Sequence, residues 1–465
     1  MKPEFCAGVA HCDITPPVGI AHGTWSAQIH ERAEGIDLPL RCTALAASDG
    51  TSEVIIAEWD LVYPPDGEWL LRVRQRVTDL TGVPGDHVRI SASHTHSGPS
   101  LKPPWFDAGA EMITSYVNSL TDRLAGTCLD AHRRLAPAHV GWGKGSCPVN
   151  SNRRRPWQPN RLILAPNPSG FVDHEVGVVR IDDDTGAPLA VIVHYAAHPT
   201  ILAWDNHLIS PDYPGTLRRV VEELTGATCL FLQGAAGNQN TLRDYSNKPQ
   251  DSRWVGRQIA LEAVRVSELV ETRPRQLEIG KLVESSWTMG VAEYLPGAFS
   301  AIPVKCTTRK VDLPVRKREP ISDEELAAVE RLRTRLAELR EQGASAEELR
   351  EANRLVRRAS MDLMLAQRRS GADFIPTELQ AIRLGPVAFV AMPVEPFAEI
   401  GVDIKSRSPF PATFVSGYSN GAELYLPVAS AYEEGGYEVW MTPFSPQAAG
   451  ITVEESLRLL DQLRD

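Results

Sequence analysis

Val88-Arg89-Ile90-Ser91-Ala92, running directly into Ser93-His94-Thr95-His96-Ser97-Gly98-Pro99 (residues 88–99), alternates like a strand and ends on two histidines. Amphipathic helices flank it. Leu70, Val73, Val77 and Leu80 stand at helical spacing in 66–80, as do Ile113, Val117, Leu120 and Leu124 in 111–135. Further along, strands are predicted over 176–181 and 188–194, joined by the turn-forming Asp182-Asp183-Asp184-Thr185-Gly186. The second of these runs on into Tyr195-Ala196-Ala197-His198, so again a strand delivers a histidine. A helix opens at 210–215 and continues through Leu224; the apolar strand 229–233 then enters Gly234-Ala235-Ala236-Gly237-Asn238-Gln239-Asn240, a Gly-rich turn expected at the edge of a site.

Composition narrows the function. With 465 residues, 43% hydrophobic and 23% charged, the chain can bury a large core, and no Ser/Gly- or Pro-rich linker divides it, so one domain over 1–465 is expected. Its net charge of -11 argues against the basic stripe that a nucleic-acid backbone requires, so no nucleic-acid partner is expected. Residues 1–14 carry no secretory leader pattern, and no apolar run reaches the ~18 residues of a membrane span. The expectation is a cytoplasmic protein without stable membrane insertion. Seven scattered cysteines with no CxxC pair signal neither a disulfide framework nor a thiolate zinc site; they read as reduced core residues.

Residues 321–371 differ in kind. Two charged amphipathic helices are predicted there, each opened by a capping box, Ser322 to Glu325 and Ser345 to Glu348. Leu326, Val329, Leu332, Leu336 and Leu339 form the apolar stripe of the first. This helical hairpin is read as an insertion in the α/β body, packed on its own domain or used to form a homo-oligomer. Strands return at 379–384 and 387–392, an aromatic-rich stretch follows at 414–440, and a helix closes the chain near 453–463.

The twelve histidines end at His207, so a multi-histidine centre has to come from the first half of the chain. Period-two alternation would send His94 and His96 to one face of their strand, and His198 offers a convergent partner. Two such imidazoles with a carboxylate suit an open zinc site. His194 reads as a core residue, and His11, His22, His30, His87, His132, His139 and His174 as surface or loop groups. No GxxxxGK[ST] or GxGxxG occurs, so P-loop and dinucleotide readings have no anchor. The Gly234 to Asn240 turn could be structural or could cradle an anion.

Taken in order, Gly8-Val9-Ala10-His11-Cys12-Asp13-Ile14-Thr15-Pro16-Pro17, the His94 string, Asn152-Arg153, His198-Pro199-Thr200, Gly237-Asn238-Gln239-Asn240, Pro393-Val394-Glu395 and the tyrosines Tyr425, Tyr432 and Tyr437 resemble the neutral/alkaline non-lysosomal ceramidases. The resemblance implies an α/β fold of mixed β-sheets with flanking helices, and a zinc ion held by His94, His198, Glu395 and Tyr425. It further implies His96 facing the scissile amide, with Arg153 and Tyr437 beside the developing oxyanion. Gly237 and Asn240 would border the substrate. Asn240 stands where the family carries a serine, the 321–371 hairpin has no counterpart to align, and the family's C-terminal immunoglobulin-like domain and leader are not expected here. The expectation is therefore a zinc-dependent hydrolase of a linear amide in a small or lipid-like N-acyl compound other than ceramide. The alternatives are an esterase on the same site, or a metal-containing binding protein that has lost turnover.

Overall fold

A computed structural model describes residues 5–101, 108–159, 161–297 and 301–464; Met1, which opens the stretch read for a leader, lies outside them. Its largest sheet has eight strands, in the order Thr228–Gln233, Pro188–Tyr195, Glu175–Asp183, Ala136–Ser146, Cys6–Asp13, Arg41–Ser48, Glu53–Trp59 and Val88–Ala92. Pairing is mixed: the outermost strand at each end is parallel to its neighbour, and the pairs between them are antiparallel. The two parallel edges have the same consequence, since both Val88–Ala92 and Pro188–Tyr195 release their C-terminal ends toward the histidines.

Both faces of the sheet are covered, which is why its strands read as apolar runs. In Arg41–Ser48 and Glu53–Trp59, Ala44, Ala46, Ile55 and Ala57 face the helices Gly67–Thr81 and Ile113–Arg133, meeting Trp69, Val73, Val77, Leu120 and Leu124. The alternate residues Leu45, Val54 and Ile56 point inward, where they pack with Ile181, Ile192 and Leu230 from the other half of the sheet. Ile382, Leu384, Phe389 and Phe414 complete that core from a second, four-stranded sheet of Val304–Pro314, Phe374–Leu384, Val387–Ala391 and Ala412–Ser416. Helices Tyr213–Thr225 and Pro249–Leu269 seal the outer face of the far half through Leu217, Val221, Val255 and Ile259.

The predicted helical pair is present as Asp323–Glu341 and Ala346–Ser370, and both capping boxes are closed reciprocally. These helices leave the second sheet at Val304–Pro314 and return at Phe374–Leu384, two strands that pair with each other in unbroken antiparallel register. Of the predicted stripe, Val329, Leu336 and Leu339 are buried and Leu332 half-buried, while Leu326, in the first turn, is exposed. Residues 275–296, for which the sequence analysis names no element, form a two-stranded ribbon of Arg275–Glu284 and Thr288–Pro296. No described helix is long and apolar enough to cross a membrane.

Candidate active site

His94, His96 and His198 meet, with one ring nitrogen of each lying within 4.8 Å of the others. The reason differs from the expected pleat. The strand stops at Ala92, and His94 adopts φ 69°, a left-handed conformation that costs a residue with a Cβ roughly 1–2 kcal/mol. That turn brings the His94 and His96 rings edge to face, 4.9 Å between centroids. His198 arrives from Pro188–Tyr195 and is held by a single parallel bridge to Asn240.

Backbone acceptors fix the ring orientations. His94 Nδ1 donates to the Val62 carbonyl at 2.6 Å and His198 Nδ1 to the Ala236 carbonyl at 2.7 Å. A carbonyl only accepts, so each Nδ1 carries the proton and each Nε2 presents a lone pair. His96 Nδ1 instead meets the Thr24 hydroxyl at 2.8 Å, a group that donates or accepts, so this ring can hold its proton on either nitrogen. Burial pushes all three imidazoles well below the usual histidine range, which keeps them neutral.

Glu395 closes the cluster. Its Oε2 lies 3.2 Å from His198 Nε2 and 3.6 Å from His94 Nε2, so lone pairs face a carboxylate oxygen. The Nε2 atoms of His94 and His96 are buried without a hydrogen-bond partner. Converging imidazole lone pairs, two of them on Nε2 atoms with no hydrogen-bond partner, beside a carboxyl group are what a cation satisfies, and the neutral-nitrogen and carboxylate donor set suits zinc. Tyr425 reaches the same place because Glu395–Pro396 and Tyr425–Leu426 pair in parallel, with Glu395 opposite Tyr425.

Arg153 and Tyr437 border this centre. The Arg153 guanidinium carbon stands 5.3 Å from the Tyr425 ring centre and 6.0 Å from that of Tyr437. Arg153 Nε donates to Glu438 at 2.7 Å and its NH1 to Asn240 Oδ1 at 3.2 Å, while NH2 is buried and unpartnered. Burial opposes the charge on Arg153, but Tyr425 and Glu438 outweigh it and hold its pKa above the usual arginine value. Burial pushes the Tyr437 phenol up to about 12, so it keeps its proton at neutral pH. A cavity of about 140 Å³ opens here, walled by Val62, Tyr63, Met361, Met364, Leu424 and Met441 as well as by His94, His96, Glu395, Tyr425 and Tyr437.

The two residues expected to border substrate, Gly237 and Asn240, make defined contacts of their own. The amide of Gly237 donates to Pro396 at 2.8 Å, and a Cβ there would fall 2.4 Å from the Glu395 carbonyl oxygen. Gly237 thus lets the turn press against the backbone that carries Glu395. Asn240 is occupied at both ends of its amide, accepting from Arg153 and donating to Tyr245 at 2.7 Å, and so positions both side chains. Of the histidines read as surface or loop groups, two pack more closely than expected. His22 is buried and contacts His30 at 3.2 Å, and the His30 ring stacks on His207 with 4.1 Å between centroids.

Sequence reasoning missed two further side chains. Glu438 is wholly buried between Arg153 and Arg154, accepting from Arg154 at 2.9 Å, and its only signal was adjacency to Tyr437. Tyr418 lies 4.1 Å, ring to ring, from His94 with its hydroxyl buried and unpartnered.

Comparison with known proteins finds neutral ceramidases. Residues 5–232 match the model of the neutral/alkaline non-lysosomal ceramidase N-terminal region. A neutral ceramidase of Oryza sativa subsp. japonica is 25% identical over 248 residues, 51% of this chain and 31% of that protein. One of Mycobacterium tuberculosis is 30% identical over 202 residues, 40% of this chain and 30% of its own. The matched stretches thus span about a third of these relatives' length. The crystal structure of the neutral ceramidase from Pseudomonas aeruginosa superposes on all of this chain and 75% of its own, with a TM-score of 0.70 at 19% identity, which establishes a shared fold. By its sequence pattern the segment 5–232 is that of the neutral/alkaline non-lysosomal ceramidase N-terminal region, and the whole chain shares the fold of a neutral ceramidase.

Proposed function

We propose that this protein is a zinc-dependent hydrolase of a linear amide in an N-acyl compound. The observation that carries the reading is the knot of unprotonated Nε2 atoms and a carboxylate, set at the wall of a largely apolar cavity beside an arginine with an unused N–H. His94, His198, Glu395 and Tyr425 would hold the zinc, the first two because their backbone anchors allow no other tautomer. When bound, the ion supplies Lewis acidity toward the amide carbonyl and lowers the pKa of water.

The protein's own groups account for the rest. His96, whose Thr24 partner accepts either tautomer, takes a proton at Nε2 from the attacking water and returns it to the leaving nitrogen. Arg153 NH2 and the Tyr437 hydroxyl donate to the oxygen that gains charge as the carbonyl becomes tetrahedral. Glu438 and Asn240 hold the guanidinium so that this donor is set before substrate arrives. The apolar wall of Met361, Met364, Leu424 and Met441 suits the acyl part and excludes water from the amide.

Elemental analysis and turnover of a panel of N-acyl compounds, ceramide included, test the reading together. Wild type should carry about one zinc per chain, the occupancy of a single open catalytic site. His94→Ala should lose metal and turnover, while His96→Ala should keep the metal and lose turnover by about 10²–10⁴-fold. Wild type without metal after zinc is offered would overturn the site assignment. Zinc with no cleavage of any member would favour a binding protein.

A further inference from the structure

The ribbon of Arg275–Glu284 and Thr288–Pro296 stands away from the body of the protein. Every residue of its two strands is exposed except the half-buried Val283. A lone two-stranded ribbon is marginally stable in water, and this one bears unusually large apolar side chains for so open a position. Leu277, Ile279, Leu282 and Tyr294 are each about 60% exposed, and Trp287 at the tip is 83% exposed.

Register sorts these residues onto two unlike faces. Leu277 pairs with Tyr294, Ile279 with Ala292, Leu282 with Gly290, and Glu284 with Thr288. A bulge at Gly280, between Ile279 and Lys281, is what keeps Leu282 on the side of Ile279. Were Gly280 paired in a regular pleat, Lys281 would stand there instead. The first face therefore reads Arg275, Leu277, Ile279, Leu282, Glu284 along one strand, with Tyr294, Ala292 and Gly290 beside them. The second face is mixed, with Glu278, Lys281 and Glu293 among Val291, Met289 and Leu295.

We infer that the apolar face of this ribbon is a self-association surface whose occupant is the same face of a second copy of the chain, lying antiparallel to it. Charge argues for that partner. The face is positive at its base, Arg275, and negative near its tip, Glu284, with only uncharged residues between. Antiparallel stacking about a two-fold axis sets each Arg275 against the other copy's Glu284 and lays apolar on apolar, as an isologous contact requires. The same charges disfavour a lipid surface. Glu284 would have to enter it beside Trp287, and the strands carry Glu278, Glu284 and Glu293 against Arg275 and Lys281 on a protein of net charge -11.

Sedimentation velocity of the full chain over a wide concentration range, paired with flotation on zwitterionic vesicles, tests this. Wild type should be a reversible dimer that does not float. Leu282→Glu should weaken self-association about 30-fold or more, as loss of a central interface residue does, whereas Val291→Glu on the other face should leave it unchanged. Arg275→Glu should weaken the dimer, and Arg275→Glu combined with Glu284→Arg should restore it. Unaltered circular dichroism and thermal unfolding of each variant establish that the body remains folded. A wild type that is monomeric throughout, a dimer indifferent to Leu282→Glu, a double exchange that fails to restore, or Leu282-dependent flotation of a monomer would each overturn the inference.

Discussion

At the scale of single residues, the candidate site depends on what its members are denied. His94 and His198 give their Nδ1 protons to carbonyls, so their Nε2 atoms have nothing left to donate toward Glu395. Glu438 shows the converse, a buried carboxylate between two guanidiniums. Removing it with Glu438→Ala leaves Arg153 and Arg154 buried and undercompensated, which should cost about 3–5 kcal/mol in chemical denaturation. Because Arg153 also loses the anchor at its Nε, turnover should fall by about 10²-fold even where the variant remains folded, with zinc content unchanged. A variant that loses stability but keeps full turnover would show that Glu438 has no part in positioning Arg153.

At the scale of elements, the helix Ala346–Ser370 shapes one wall of the cavity from outside the sheets. It is pinned across the site by Asp362, which accepts from Trp440 Nε1 at 2.7 Å, by Arg358 stacked 3.4 Å from the Trp440 ring centre, and by Arg368 paired with Glu423 at 2.7 Å. Those anchors set Met361 and Met364 into the cavity wall. Replacing both by alanine should shift the ratio of kcat/KM toward longer acyl chains by about 10-fold or more, and Met361→Trp should shift it toward shorter ones. Competition between N-acyl substrates of graded length measures this. An unchanged preference in both variants would mean the acyl group lies elsewhere. The hairpin was legible in sequence because its signals are local, two capping boxes and a 3.6-residue stripe; its place over the cavity rests on contacts with residues some 55 to 78 positions away.

At the scale of the whole molecule, segments distant in sequence pack histidines into places water does not reach, and this gives stability a pH dependence. Burial, the larger cause, lowers His22 to about 4 and His30 to about 3. Unfolded, both take a proton near the ordinary value of 6.5, so between that pH and about 4 the unfolded chain binds more protons than the folded one. Their contribution is therefore complete above pH 6.5 and is lost as pH falls through this window. The slope is roughly 1.4 kcal/mol per pH unit for the well-buried His22. His22→Gln should flatten that acid limb in thermal or chemical unfolding, whatever it does to stability at neutral pH. An acid limb of unaltered slope would assign the dependence to other groups.

What the sequence by itself determined is what short range can carry. Strand alternation before His94 and His198, helical stripes, capping boxes and a Gly-rich turn after an apolar strand are all set by neighbours a few residues apart, because backbone geometry repeats over that distance. Glu395 and Tyr425 entered only through resemblance, since they become neighbours through a two-residue parallel pairing of strands 30 positions apart. Tertiary structure alone decided the rest. It made Gly237 a packing contact and Asn240 a brace for Arg153, buried Glu438 and Tyr418 against the site, and drew His22 inside. It also left the apolar face of 275–296 uncovered. Burial and charge pairing are properties of the assembled surfaces, and no local pattern states which surfaces will meet.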